Sequence, residues 1–421
     1  MGLRKNILAN YLGAGTIALA PILALPWYLQ ALGPKQFGLI SFITMLQALF
    51  GILDAGTSQA LVREFAVRFN AGKDGRRDAA SLLFGFERLY WIFAVATGAA
   101  VLMLSNVISS HWLVLGDLPL STGTAAVCGA GFLFAVQFPG SVYRSLLVGV
   151  QAQVSLNSVM LTAALMRHIG GVAVLQFWPT LYAYLGWQIG VGLLETLVRG
   201  KMAWRAGAVK RNLLRWEPQR LRTVWKSVAS LTGATCLGAL TVQMDKIILS
   251  KMVGLQQFGY YTIAAGISLG VLQLVYPIVQ AVLPRAVELK NDRAGLRRLS
   301  IKLIWSIAAF VTGGGVVYAL LGEILLAGWL RDATVAESIY PLLAVLLLGT
   351  AMNAFYIVGY IHWLVLEKVG RVLVVNAAAL ALSVAIIPPL VTRFGLVGAA
   401  FGWLAINSIG FALSLEWLKK P

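Results

Sequence analysis

Two stretches, LGPKQFGLISF (Leu32–Phe42) and VGLQQFGYYTI (Val253–Ile263), share an apolar–Gly–x–x–Gln–Phe–Gly core. Gly33 stands 221 positions before Gly254, about half the length of the 421-residue chain. A second echo pairs YRSLLVGVQAQVSLN (Tyr143–Asn157) with YIHWLVLEKVGRVLVVN (Tyr360–Asn376). A third pairs the basic segments RFNAGKDGRR and LKNDRAGLRR. Three echoes in one order predict a chain whose second half repeats its first.

The composition sets what is repeated. Apolar residues make up 59% of the chain and charged residues 12%, with a mean hydropathy of +0.80. Ordinary soluble domains sit near ~45–50% apolar and ~25% charged. Apolar stretches of the ~20 residues that a helix needs to cross a bilayer recur throughout. The fold class is therefore all-α and integral to a membrane. Twelve spans are predicted, near 8–31, 38–62, 80–105, 121–143, 153–173, 176–198, 227–250, 258–283, 301–325, 338–362, 371–392 and 395–416. Spans five and six are divided only at RHIGG (Arg167–Gly171). The stretch Ile7–Leu32 follows Arg4 and Lys5 but is longer than a signal-peptide core, so it reads as a retained span. Cys128 and Cys236 lie inside spans and read as packing residues.

The charge tests the span count. Placing alternate connections and both termini in the cytoplasm puts 27 of the 34 basic residues there. These are Arg4, Lys5, five from Arg63 to Arg77, Arg144, nine from Arg199 to Lys226, six from Arg285 to Lys302, Lys368, Arg371, Lys419 and Lys420. The opposite side holds only Lys35, Arg167, Lys251, Arg331 and Arg393, while Arg88 and Lys246 fall within spans. This is the positive-inside pattern, with an even span count. It also accounts for the net charge of +18 without nucleic acid, for which no motif is present. The run from Arg199 to Lys226 divides the chain into bundles at 1–198 and 227–421, joined by a basic cytoplasmic linker at 199–226. Trp204, Trp216 and Trp225 within it fit either a helix on the inner leaflet or a solvated linker. Each echo is separated from its partner by six spans, so the repeat is parallel, with a pseudo-two-fold axis along the membrane normal.

The segments LGPKQFGLISFITMLQALFGILDAGTSQALVREFA and QMDKIILSKMVGLQQFGYYTIAAGIS resemble the oligosaccharide flippases. These Wzx-like polysaccharide biosynthesis proteins belong to the multidrug/oligosaccharidyl-lipid/polysaccharide exporter superfamily. The resemblance covers the whole chain in span number, halves and loop signatures, although its individual motifs are loose. It implies a V-shaped pair of six-helix bundles in the bacterial inner membrane. It also implies a lipid-linked cargo, undecaprenyl-diphosphate carrying a sugar repeat unit, and polysaccharide polymerases as partners. No cofactor is expected, and coupling to a proton or sodium gradient is left open.

Ionisable groups inside spans are costly and mark cavities or partners. Asp245 lies nine residues before Gly254, about 13 Å from the outer end at ~1.5 Å per residue, and Lys246 is next to it. They fit a cleft near the midplane or a buried network that fixes packing. Glu87 and Arg88 form a second adjacent pair, and Asp54, beside Gly56, lies deep in span two. Asp54, Glu87 and Asp245 are the candidates for ion coupling or gating. Arg63 and Arg285 follow Gly38 and Gly259 by 25 and 26 residues, at equivalent depths near the cytoplasmic mouth. With Arg88, Arg144 and Lys246 they are the candidates for substrate binding, because guanidinium binds phosphate in a bidentate fork. Pro21, Pro26, Pro277, Pro284 and Gly313–Gly315 fit tolerated kinks or hinges. His111, His168 and His362 are too scattered for a metal site.

Two other functions compete. A cation-coupled multidrug exporter of the same superfamily would favour an acidic cavity, against these basic candidates. A membrane glycosyltransferase or polysaccharide polymerase would need a large outer loop with carboxylates. The longest here, SSHWLVLGDLPLS, carries only Asp117.

Overall fold

The computed structural model describes the backbone of residues 3–207 and 236–418. Side chains are described from Leu19 onward, except at 53, 55, 56, 276, 277, 280 and 369. Trp216, Trp225 and most of the expected linker lie outside the described residues. The chain divides into two compact units, Met1–Ala239 and Leu240–Pro421.

The first unit runs through α1 (Leu3–Phe69), α2 (Gly72–His111), α3 (Leu120–Gln137) and α4 (Gly140–Gly149). It continues with α5 (Gln153–Leu165), a π-helical turn (Met166–Gly170), α6 (Gly171–Phe177) and α7 (Leu181–Gly207). The second runs through α8 (236–252), α9 (Leu255–Glu288), α10 (Arg293–Leu330), α11 (Ala333–Val365), α12 (Val369–Phe394) and α13 (Leu396–Ser414). Helix α1 bends at Gly33 into two legs. Helices α3 and α4 form one interrupted span, and α5, the π turn and α6 form another. Among the described residues each half thus supplies six helical segments. Eight helical stretches among the described residues are long and apolar enough to cross a membrane, and two of these, Leu19–Ile52 and Gly370–Leu418, each contain a bend. The helix is continuous through Asp54, Pro21, Pro26, Pro284 and Gly313–Gly315, so none of these breaks the chain.

Burial follows the repeat. The most apolar windows of α3–α4 and of α11 are both 56% buried, whereas those of α10 and α12–α13 are 11% buried. Among these eight stretches, the third segment after each glycine phrase is therefore the most buried of its own unit. Leu61, Phe65, Phe86, Phe134 and Leu146 form a core in the first unit. Leu272, Val275, Leu303, Ile307 and Val358 form one in the second.

The echoes correspond to shared backbone devices. Gly33 and Gly254 are each the extended residue ahead of a helix, with ψ of 166° and 155°. Pro34 takes the first helical position, where its missing N–H costs nothing. Phe37 and Phe258, each four residues after its glycine, are buried. In the second echo, Gln151 and Glu367 both take a positive φ, 60° and 58°. Around them the same three backbone bonds close the turn. Val150, Gln151 and Ala152 donate to Leu146, Val148 and Leu147, while Leu366, Glu367 and Lys368 donate to His362, Leu364 and Trp363. That pattern closes a helix C-terminus and restarts the next within three residues.

The two glycines of the phrase differ in one respect. Gly33 has φ 74° with ψ 166°, a region nearly reserved for glycine, whereas Gly254 has φ −64°. Nothing lies within 4 Å of a methyl added at either. Gly33→Ala is expected to cost about 1–3 kcal/mol through backbone strain, and Gly254→Ala to be near neutral. Thermal unfolding of the two purified variants checks this, and equal losses would refute it.

Candidate functional site

The first unit carries a half-open polar cavity of about 250 Å³. Three of its walls are stripes at helical spacing. Gln47, Gly51 and Asp54 come from α1; Phe134, Gln137, Phe138 and Ser141 from the α3–α4 span; Glu195, Thr196 and Arg199 from α7. Arg167 enters from the π turn. Glycines let the walls approach. A methyl at Gly192 would sit 3.1 Å from Gln137, and one at Gly140 would sit 3.0 Å from Thr196 Oγ1.

The cavity is lined by two guanidiniums and two carboxylates. Glu195 bridges the cations, one oxygen accepting from Arg167 and the other from Arg199. The side chains of Arg167, Glu195 and Arg199 are 21%, 9% and 14% exposed. Their Nε atoms (Arg167 and Arg199) are buried without a hydrogen-bond partner among the described residues. Asp54, on another wall, accepts from Tyr90 Oη at 2.8 Å and Ser58 Oγ at 2.7 Å.

The π turn is what aims Arg167 inward. A π turn leaves carbonyls without their usual helical partners, and here side chains from neighbouring helices supply donors. Trp187 Nε1 donates to the Met166 carbonyl at 2.8 Å, and Gln188 Nε2 to that of Arg167 at 3.3 Å. Tyr28 Oη donates to the Arg167 and His168 carbonyls, both at 3.3 Å. Gly170 and Gly171 are required by the same packing: added methyls would lie 2.3 Å from Trp187 and 2.9 Å from Tyr28. RHIGG is therefore not a connection between spans. It lies within span five, and the break falls at residues 178–180, where Pro179 ends the helical run. Arg167 leaves the outer connections, and Arg199 lies inside α7, which continues to Gly207. Trp204 belongs to that helix and donates to Glu87 Oε1 at 3.2 Å.

The candidates from sequence are dispersed. Asp54 joins the cavity. Glu87 is 5% exposed and accepts from Tyr143 Oη at 2.5 Å as well as from Trp204. Its neighbour Arg88 points the other way, exposed, with its guanidinium 4.1 Å over the Phe84 ring. Arg63 and Arg144 are exposed. In the second unit Arg285 is exposed and pairs with Glu288 at 2.5 Å, one turn on. Asp245 and Lys246 are buried and paired at 3.2 Å, and Tyr261 Oη donates to Asp245 at 2.7 Å. The cavity beside them is about 10 Å³, room for no more than about one water. Asp117, the acid of the longest outer connection, is taken up by Lys35 at 2.6 Å. That hydrogen bond holds its carboxyl below the usual range.

Arg167, Glu195 and Arg199 were not among the sequence candidates. The signal that could have found Glu195 and Arg199 is a polar residue recurring at four- or seven-residue spacing inside an apolar span: Gln47–Asp54–Ser58, Gln137–Ser141 and Gln188–Glu195–Arg199.

Six helical segments in each half, with glycine-led helices at equivalent places, define an all-helical membrane protein built as two bundles. Solved structures share that fold over nearly the whole chain. One is described as lipid II flippase MurJ in an inward closed conformation, with a TM-score of 0.71 at 13% identity over 98% of this chain and 87% of that one. Another is an inward-facing multidrug resistance MATE family transporter of the MOP superfamily, with a TM-score of 0.70 at 15% identity over 95% and 93%. A curated relative from Shigella flexneri, named "Putative O-antigen transporter", is 23% identical over 99% of this chain and 98% of its own. The profile of the polysaccharide biosynthesis protein family matches residues 3–290, and the chain belongs to that family.

Proposed function

We propose that the protein is a flippase that moves an undecaprenyl-diphosphate-linked oligosaccharide from the cytoplasmic to the periplasmic leaflet of the bacterial inner membrane. The observation that carries this reading is membership of the polysaccharide biosynthesis family over residues 3–290. The basic connections support a cytoplasmic side for both termini, by the positive-inside rule. The cargo is too polar to cross lipid unaided, and its polyprenyl tail can stay in the bilayer while the head passes through the protein. Rocking of one bundle against the other is the mode of alternating access expected for a parallel repeat. Arg63, Arg88, Arg144 and Arg285 are exposed and can present guanidinium forks to the diphosphate. A proton or sodium gradient is the proposed energy source.

The test is export of lipid-linked sugar in cells that lack their own flippase. Wild-type protein should restore surface polysaccharide, and the combined Arg63→Gln, Arg88→Gln and Arg285→Gln variant should export several-fold less at equal membrane abundance. Full export by that variant would remove the arginines from the mechanism. Efflux of organic cations by the wild-type protein with no export of lipid-linked sugar would instead identify a multidrug exporter.

A further inference from the structure

We propose that the cavity of the first unit seats a sugar residue of the cargo, and that the diphosphate binds elsewhere. This deepens the flippase reading and rests on it. The argument is one of charge balance. A diphosphate brings dense negative charge and needs a site with an excess of cations. In this cavity each guanidinium already bonds Glu195, and Asp54 adds a second carboxylate. Two cations therefore face two anions, and a diphosphate entering the cavity would meet both carboxylates at short range.

A sugar has the opposite requirement. Each hydroxyl both donates and accepts, so a ring is matched by a wall that alternates the two. Asp54 and Glu195 accept, the terminal nitrogens of Arg167 and Arg199 donate, and the amides of Gln47 and Gln137 do both. Phe134 and Phe138 supply an apolar wall for the C–H faces of a ring. Size points the same way. About 250 Å³ is slightly below the ~300–1,000 Å³ of ordinary small-molecule sites. The cavity therefore takes one sugar unit of a larger glycolipid and not a whole repeat. Ring selection by paired carboxylates and amides would make this unit the part of the protein that reads which sugar is carried.

The test labels the cavity directly. Ser141, on its wall, is replaced in the variant Ser141→Cys, with Cys128→Ala and Cys236→Ala to remove the native thiols. Maleimide labelling is followed in lipid nanodiscs. Polyprenyl-diphosphate-linked sugar extracted from cells that the protein complements should slow labelling several-fold, whereas polyprenyl diphosphate without sugar should not. Adding Gln47→Leu and Gln137→Leu should abolish that protection at an unchanged melting temperature. If the double leucine variant does not fold, Gln47→Asn and Gln137→Asn, each one methylene shorter, should weaken protection instead. Equal protection by sugar-free polyprenyl diphosphate would overturn the assignment and put the diphosphate in the cavity. No protection by either, in a protein that exports lipid-linked sugar in cells, would exclude the cavity as a substrate site while leaving the flippase reading intact. No export in cells would defeat the flippase reading itself.

Discussion

Glu195→Ala is expected to destabilise the first unit by about 3 kcal/mol and to lower the amount of folded protein in the membrane. Removing one partner of a buried ionic group typically costs ~3–5 kcal/mol, because the charge left behind has neither water nor a counter-ion. Here two cations would be left, with side chains 21% and 14% exposed. The cavity supplies some water, which places the expected loss at the lower end. The Nε atoms of both arginines already lack partners among the described residues, so the loss of Glu195 adds to donors that are unsatisfied. Replacing the whole group, with Arg167→Met, Glu195→Leu and Arg199→Met together, should recover most of the stability and none of the export. That contrast separates the cost of stranded charge from the role of the group in transport. Thermal unfolding in detergent, read beside export in cells, measures both. Wild-type stability in Glu195→Ala would mean that the arginines are hydrated where the structure buries them.

A comparable loss is expected from Asp245→Asn in the second unit, where the pair is drier. Asp245 and Lys246 side chains are 7% and 11% exposed, and the ammonium also donates to the Val242 carbonyl at 3.2 Å. Neutralising the acid leaves the Lys246 ammonium without a counter-ion among the described residues, and again ~3–5 kcal/mol is at stake. Tyr261→Phe should cost less, about 1–3 kcal/mol, since it removes one donor from a carboxylate that keeps its cation. Asp245→Leu with Lys246→Leu should be more stable than Asp245→Asn alone. This order follows from a network that holds α8 against α9. If Asp245→Asn and Lys246→Ala instead lose export at full stability, the pair acts on transport and not on packing.

Asp54 and Glu87 illustrate how far residue type alone can be read. Both are acids inside apolar spans, and by residue type alone they are equivalent. Their surroundings differ entirely: Asp54 opens on a cavity beside two arginines, while Glu87 is closed in by Tyr143 and Trp204. Arg88 is the next residue, yet one step along a helix turns a side chain by ~100°, and its exposed guanidinium lies over Phe84.

The sequence by itself determined the class, the number of spans and the repeat. Those properties are local. Hydropathy decides which ~20-residue stretches enter a bilayer, Gly33 and Pro34 force the bend that opens span two, and the turns at Gln151 and Glu367 close with the same three backbone bonds. The site was decided only in three dimensions. RHIGG carries two glycines and two basic residues, and it reads as a break until Trp187, Gln188 and Tyr28 are seen to satisfy its carbonyls. Those donors lie 21 and 139 residues away, and Glu195 lies 28 residues from the arginine that the π turn aims at it. Which polar residues share a cavity depends on the rotation and depth at which the helices pack. That is set by close approaches such as Gly192 on Gln137 and Gly170 on Trp187, contacts between helices that no single stretch of the chain contains.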